Sequence, residues 1–175
     1  FYSSVRDNGK ANKELKGVYN ITVNLVNNTT ENVKFNEFDM PTKVKLLGER
    51  RANKGKDVKP LYEIQSIVEK NDGGIIIISE FRLVYVGQKQ GIGPFGLQPI
   101  TYYMNEMIVN CLKPDGSLEW SNVVAKEQAA SITVATFNLF AGSSSGSFSV
   151  GVALSIPLGV MGKGPEYLSA IPIYK

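Results

Sequence analysis

The sequence predicts an all-β protein made of consecutive antiparallel hairpins, arranged as a partial β-propeller or as a β-sandwich. Short segments rich in β-branched and aromatic residues recur along the 175-residue chain, and turns rich in Asn, Asp and Gly separate them. With 43% hydrophobic and 20% charged residues, the composition is that of a globular protein with a hydrophobic core.

The first two predicted hairpins lie in the N-terminal half of the chain. Alternating apolar residues at 17–26 and 33–38 flank the polar sequence NNTTEN, which breaks the first strand. The second hairpin joins 61–70 to 75–86 across the turn Asn-Asp-Gly-Gly. The apolar run in 75–86 has the length of a strand, and we expect it to be buried on both faces.

Two more hairpins and a last strand are predicted in the C-terminal half. Residues 105–112 join 117–126 across Lys-Pro-Asp-Gly, and residues 131–140 join 148–158 across Gly-Ser-Ser-Ser-Gly-Ser. A final strand pattern covers 167–174. The residues that we expect in the hydrophobic core are Ile76, Ile108, Trp120 and Val123.

The turns are regularly spaced along the chain. Those that begin near Asn28, Asp72 and Asp115 lie 44 and 43 residues apart. A four-stranded propeller blade takes roughly 40–50 residues, but the hairpins of a sandwich explain the spacing equally well. Because the chain begins without Met and ends in an apolar run, we expect residues 1–175 to be a single all-β domain or a fragment of a larger repeat protein.

The sequence Pro114-Asp115-Gly116 is typical of a tight turn between strands. Trp120 follows as in the turn-then-tryptophan hairpins of several propeller families, including the Asp-box of sialidases. The glycine directly after Asp115 and the Glu119 before Trp120 depart from the Asp-box pattern. We therefore predict that Asp115 has a structural role in the turn.

The composition excludes several kinds of catalytic site. The chain has no histidine and one cysteine, which rules out Ser-His-Asp and Cys-His nucleophiles, an intrachain disulfide and most zinc sites. We expect Cys111 to be a buried, inert thiol. The glycine-rich sequence at 91–96 lacks a following helix that would hold a pyrophosphate. The one at 159–164 lacks the Ser or Thr that follows the lysine of a phosphate loop and ends before a proline, so no cofactor is predicted. We assign no catalytic, cofactor-binding or metal-binding residue; Glu80 and Glu106 are the candidates if the protein is a glycan-active enzyme.

A basic insert at 41–60 lies between the first and second hairpins. Residues 41–54 have the features of a short helix, and seven basic residues against two acidic ones give 43–59 a local net charge of +5. We expect a solvated, protease-sensitive connection, with docking to a protein or an acidic envelope surface as the alternative. The insert lacks the interleaved aromatic residues of nucleic-acid-binding surfaces. The candidate partner contacts are Arg50, Arg51, Lys54 and Lys56, together with the aromatic pair Tyr102 and Tyr103 beside a predicted long loop.

The segment 129–162 carries no charged residue. In 148–158, apolar residues alternate with small residues, so that one strand face is apolar and the other is small. Paired with 131–140, this strand has the pattern of a membrane-spanning β-hairpin. A hairpin that packs its apolar face on the protein core explains the same pattern, and we expect this second arrangement.

The sequence FYSSVRDNGKANKELKGVYNITVNL, followed in order by FNEFD, NDGGIIIISE and MIVNCLKPDGSLEWSNVVAKEQ, resembles a group of secreted or envelope-associated, propeller-like β-repeat proteins of Gram-negative bacteria. The likeness covers about residues 1–128 and rests mostly on turn motifs. It implies export and a β-rich repeat, and it supplies no activity and no site residues.

The leading functional hypothesis is a non-enzymatic module, secreted or in the cell envelope (periplasm or outer-membrane surface), that binds or scaffolds a partner through protein–protein contacts. The expected partner is an envelope protein or the remainder of a longer parent chain. The net charge of +3 gives no support for a nucleic-acid partner. The alternatives are a membrane-interacting β-hairpin at 131–158 and, ranked below it, a glycan-active enzyme.

Overall fold

The protein is an all-β structure of consecutive antiparallel hairpins, as the sequence predicts. Eight β-strands and two short helices occupy the residues that the structure describes, and the strands pair as antiparallel hairpins β1–β2, β3–β4, β5–β6 and β7–β8. This pairing is consistent with a partial propeller and with a sandwich. The computed structural model describes residues 1–5, 9–10, 12–91, 95–142 and 149–163, with the backbone alone for 136–163.

The strands are β1 (Gly17–Asn24), β2 (Thr29–Glu37), β3 (Tyr62–Glu69), β4 (Ile75–Val86), β5 (Phe95–Leu112), β6 (Leu118–Val124), β7 (Gln128–Gly142) and β8 (Ser149–Lys163); the helices are α1 (Met40–Leu47) and α2 (Glu49–Ala52). The predicted bounds of β1, β3, β4 and β6 are correct to within two residues. β5 begins at Phe95, well before the predicted start at 105, so the predicted long loop is largely strand. The last predicted strand, 167–174, lies outside the described residues.

The chain divides into two compact units, and β4 and β5 contribute residues to both. Among the described residues, the first unit takes in Phe1–Phe81 and Asn105–Lys126, and the second takes in Arg82–Met104 and 127–163. The first unit holds the two-stranded β1–β2 sheet, both helices and the strand order β3-β4-β5-β6. The second unit has the strand order β4-β5-β7-β8.

The hydrophobic core of the first unit gathers side chains from distant parts of the chain. Val18, Phe38, Val58, Tyr62 and Ile108 form one buried cluster, and their elements range from β1 to β5. Ile108 is 0% exposed, so its predicted core position is confirmed. This cluster fixes the positions of the segments on either side of the basic insert, since Phe38 precedes the insert and Val58 lies near its end.

Three predicted core residues are less buried than the sequence suggested. Trp120 is 44% exposed, and Val123 and Ile76 are half-buried. The prediction is wrong for Trp120, which lies on β6, a strand that pairs with β5 and with no other described strand. Local alternation reports which residues share a strand face, but it does not report where a strand lies in the sheet.

The predicted burial of β4 is found in the first half of the strand only. Residues 75–80 are buried or half-buried, whereas Leu83 to Val86 at the far end are all exposed. The change coincides with the end of the first unit at Phe81, beyond which the core described above supplies no cover. The expected double burial is therefore wrong for the last four residues.

The turn at Asp115 is structural, as predicted. Ser117 donates from its backbone N–H at 2.9 Å and from its hydroxyl at 2.6 Å to Oδ1 of Asp115, and these bonds lower the pKa of the carboxyl. Gly116 has φ 78°, a conformation that glycine adopts without a steric penalty. The amide of Asn36 in β2 donates to the Gly116 carbonyl at 2.9 Å and accepts from Leu118 N–H at 2.8 Å. Asn36 thereby holds the β1–β2 sheet against this turn, a role that the sequence did not reveal.

The predicted hairpin at 131–158 is present in the backbone. β7 and β8 pair antiparallel from Ala129 opposite Lys163 to Gly142 opposite Ser149, with a register shift between Ile132 and Val134. Its side chains from 136 onward lie outside the described residues, so the predicted packing of its apolar face stays a prediction.

Candidate functional site

The basic insert begins as a capped helix that ends at a glycine. Oδ1 of Asp39 accepts from the backbone N–H of Thr42 at 2.8 Å, which caps the N-terminus of α1. Gly48 has φ 78°, and its N–H donates to the carbonyl of Val44 at 2.9 Å. The single helix predicted at 41–54 is therefore broken into α1 and α2, because a left-handed residue cannot continue a right-handed helix.

The insert is attached to the protein core along its length. Ala52 in α2 is 1% exposed, and Val58 is 1% exposed within the core cluster. Val58 also exchanges two backbone hydrogen bonds with Leu15, at 2.6 and 3.0 Å. On α1, the ammonium group of Lys45 donates to the side-chain oxygen of Asn122 in β6 at 2.7 Å. The insert is thus a docked element rather than a loose connection.

Lys43 is buried although it lies in the most basic part of the chain. Its side chain is 11% exposed and pairs with Glu37 at 3.0 Å and with Asp57 at 3.2 Å. Burial by itself lowers the pKa of Lys43, but the hydrogen bonds to the two carboxylates outweigh burial and raise it. The hydrogen bond from Lys43 also lowers the pKa of Glu37. The prediction of a solvated connection is wrong at this residue, because two acids replace the water that the cation would otherwise need.

The remaining cations of the insert form an exposed group. Arg50, Arg51, Lys54 and Lys56, which we call the cationic surface, lie on α2 and on the turn that follows it. All four are exposed, and none is within ion-pair distance of an acid among the described residues. Asp57, the nearby acid that would offset their charge, is already paired with Lys43. The structure therefore brings the four predicted basic contacts together on one anchored segment.

Tyr102 and Tyr103 do not join this group. Both are half-buried residues of β5 in the second unit, opposite Ala130 and Ala129 of β7. Consecutive residues of a strand point to opposite faces, so the two rings do not form one stacking surface. The sequence suggested them as partner contacts because they were expected beside a loop, whereas β5 runs through them.

The two carboxylates considered for glycan chemistry have different partners. Glu80 is 0% exposed and pairs with Lys126. Glu106 accepts a hydrogen bond from the hydroxyl of Tyr62 at 2.6 Å, and burial followed by this bond raises the pKa of Tyr62 far above its usual range. A glycosidase needs both carboxyl groups against the substrate. Glu80 presents no surface to a substrate in this structure.

Cys111 is 2% exposed, so its predicted burial is confirmed, and its thiol donates to Glu119 at 3.3 Å. Burial, followed by the bond to Glu119, raises the pKa of the thiol, which lowers its reactivity.

In the described part of the chain, no three residues capable of binding a metal are grouped together. Neither α1 nor α2 has the length or hydrophobicity to cross a membrane, and they are the helices of the described residues.

These features define an all-β protein with an anchored, exposed cationic segment. No protein-family model, no curated protein and no solved structure matches the chain. The functional argument therefore rests on the residues and contacts described above.

Proposed function

We propose that the protein is a non-enzymatic binding or scaffolding module of the cell envelope, and that it binds an acidic surface of a partner protein through the cationic surface. The observation that carries this proposal is the absence of ion pairs at Arg50, Arg51, Lys54 and Lys56 among the described residues, although all four lie on a segment fixed to the core.

The arrangement suits recognition of acidic groups for two physical reasons. Like charges on neighbouring residues repel one another, and this unfavourable energy is relieved when a partner supplies carboxylates. The helix and its anchors hold the backbone of the segment in place before binding, so less conformational entropy is lost on association than for a flexible basic tail. The two arginines add planar groups that bind carboxylates through paired hydrogen bonds.

The proposal has two further parts: the protein lies in the cell envelope, and it is not an enzyme. The location is supported by the resemblance of about residues 1–128 to exported β-repeat proteins. The non-enzymatic character is supported by a chain without histidine and by the burial of Glu80 away from solvent. The partner is an envelope protein or the remainder of a longer parent chain.

The experiment compares two variants that lose the same charge. One replaces Arg50, Arg51, Lys54 and Lys56 with Gln, and the other replaces the exposed Lys13, Lys34, Lys89 and Lys113 with Gln. A partner captured from envelope extract is identified and then titrated against wild type and both variants. We expect at least a tenfold loss of affinity in the first variant, little change in the second, and weaker binding of wild type at higher salt. Equal losses in the two variants would contradict the proposal.

A membrane-interacting β-hairpin is the second candidate. It is supported by the continuous pairing of β7 with β8 across an uncharged segment of the sequence. A strand of about ten residues with alternating apolar character is long enough to cross a bilayer. The two candidates make different predictions for the purified protein: a membrane-interacting hairpin binds lipid vesicles, whereas a protein-binding module does not.

A further inference from the structure

The first unit contains an open pocket of about 230 Å³ beside the cationic surface. This volume is smaller than the roughly 300–1,000 Å³ of pockets that hold drug-sized ligands, so its occupant is small. The pocket is lined by Leu46, Leu47, Arg51, Val58, Lys59, Tyr62, Phe81 and Glu106.

Charges of both signs line this pocket without neutralising one another. Arg51 and Lys59 supply two cations, and Glu106 supplies an anion. Neither cation has a nitrogen within 4.0 Å of a Glu106 carboxylate oxygen, so neither forms an ion pair with it. A ligand that carries both charges would pair with the cations and with the carboxylate at once, whereas a ligand with one charge would pair with one of them.

The carboxylate of Glu106 is held in a fixed orientation. The Tyr62 hydroxyl donates to its Oε1 at 2.6 Å, and Oε2 accepts no hydrogen bond from the described residues. Tyr62 is 8% exposed and packs edge-to-face on Phe81, with ring centroids 5.7 Å apart. Since Tyr62 and Phe81 are also paired across β3 and β4, the donor that orients Glu106 lies on a rigid part of the sheet.

The other lining residues favour an ammonium group and an alkyl chain. Leu46 and Leu47 are the last two residues of α1, where the helix carries a partial negative charge. Leu46 and Phe81, both half-buried, supply the smaller, apolar part of the pocket surface, which we call the apolar wall. Two cations, one carboxylate and an apolar wall therefore line one small space.

We propose that this pocket binds a small zwitterion of the α-amino-acid class with an aliphatic side chain. The ammonium group of the ligand pairs with Glu106, its carboxylate pairs with Arg51 and Lys59, and its side chain packs on the apolar wall. A guanidinium group suits the carboxylate because its planar donors match the two oxygens. This site goes beyond the proposed partner surface; Arg51 belongs to both, so the variants that test the pocket are made at Glu106 and Lys59.

The first test titrates the wild-type chain with L-leucine by calorimetry. Two analogues of similar shape serve as comparisons: 4-methylpentanoate lacks the ammonium group, and 3-methylbutylamine lacks the carboxylate. We expect saturable binding of L-leucine and at least tenfold weaker binding of each analogue, because each leaves a charged group of the pocket without its partner. Failure of L-leucine to bind at millimolar concentration, or equal binding of the three compounds, would overturn the proposal.

The second test uses variants of one residue of each charge. Glu106→Gln keeps an acceptor for Tyr62 but removes the negative charge, and Lys59→Gln removes a positive charge. Glu49→Gln and Lys113→Gln, at exposed residues that do not line the pocket, are the matched controls. We expect L-leucine affinity to fall at least tenfold in the two pocket variants and to stay unchanged in the controls. Wild-type affinity in both pocket variants would overturn the proposal, and thermal unfolding checks that each variant is folded. Glu106 and Lys59 do not belong to the cationic surface, so this result and that of the partner experiment are independent.

Discussion

Lys43 shows how a basic segment is made compatible with a folded core. Its side chain lies between Glu37 and Asp57, and its burial is offset by the two ion pairs. A cation in such a place stabilises the fold through its partners, because without it Asp57 would lose its ion pair and Glu37 would keep only its pair with Lys16 among the described residues. The other cations of the insert have no such arrangement and stay in water.

Replacing Lys43 with Met should lower the free energy of unfolding by about 1–3 kcal/mol. A fully buried pair costs about 3–5 kcal/mol to break, and the loss is smaller here because the Glu37 side chain is 49% exposed. Urea unfolding measures the change. The control is Lys54→Met at an exposed residue of the same insert, which should change stability by less than about 0.5 kcal/mol. Equal effects of the two substitutions would show that the pairs of Lys43 are energetically neutral.

The same pairs predict a dependence of stability on pH. The hydrogen bond from Lys43, with a weaker contribution from Lys16, lowers the pKa of Glu37 in the folded protein below its unfolded value of about 4.3. The stability from Glu37 is therefore complete above that unfolded value and is lost as the pH falls through the lowered pKa of the folded state. Unfolding free energies measured between neutral and acidic pH should decrease less steeply in Glu37→Gln than in wild type. Parallel curves for the two proteins would contradict this assignment.

Ile108 and Ile67 offer a matched comparison of core and surface. Ile108 is 0% exposed within the core cluster, and Ile67 in β3 is 59% exposed. Ile108→Ala should cost about 2–5 kcal/mol, because it removes buried methyl groups and leaves a cavity. Ile67→Ala should cost less than about 1 kcal/mol. Equal denaturation midpoints for the two variants would contradict the assignment of Ile108 to the hydrophobic core.

At the scale of elements, α1 and α2 fold the basic insert into an ordered segment that is packed on the core. Gly48 allows the chain to leave α1 and start α2, and the burial of Ala52 and Val58 fixes the segment on either side of an exposed turn. The cationic surface thus combines an ordered backbone with exposed charged ends. This combination is what a recognition surface requires, since flexible charged segments lose more entropy on binding.

Limited trypsin digestion should distinguish the exposed turn after α2 from the docked helix α1 within the insert. Residues 53–56 are all exposed and follow the end of α2, so the first cut in the insert should come after Lys54 or Lys56. Cuts after Lys43 should come late, because its side chain is buried in two ion pairs. Mass spectrometry of early fragments gives the order, and a variant with Gln at 54 and 56 serves as the control. Early cleavage after Lys43 would show that α1 is not docked in solution.

At the scale of the whole molecule, the chain forms two compact units that share β4 and β5. The first holds the cationic surface and the pocket, and the second holds the β7–β8 hairpin. The two functional candidates thus belong to different units. An experiment on the whole chain can separate them, because one acts on an acidic protein and the other on lipid.

The purified chain should not float with liposomes in a density gradient. An uncharged hairpin that packs on the protein's own core has no apolar face left for the bilayer. The chain without residues 143–158 is the control, with circular dichroism to check that the remainder is folded. Flotation that is lost on this deletion, while the remainder stays folded, would replace the scaffold proposal with membrane insertion.

Much of the fold is determined locally and is therefore readable in the sequence. Strand alternation acts over a few residues and turn chemistry over about four, so the hairpins, the bounds of β4 and the role of Asp115 could be predicted. The exclusion of imidazole catalysis needs composition alone, since the chain has no histidine. The exposed cations of the insert were also predictable, because unpaired charges remain in water.

The tertiary structure decided which distant residues meet. Nothing in the sequence near Lys43 indicates that Glu37 and Asp57 would enclose it, and nothing near Arg51 indicates a pocket shared with Glu106. Trp120 has the pattern of a core residue, yet it is 44% exposed. Burial and charge pairing depend on the packing of segments far apart in the chain, and a local pattern carries no information about which segment will cover it.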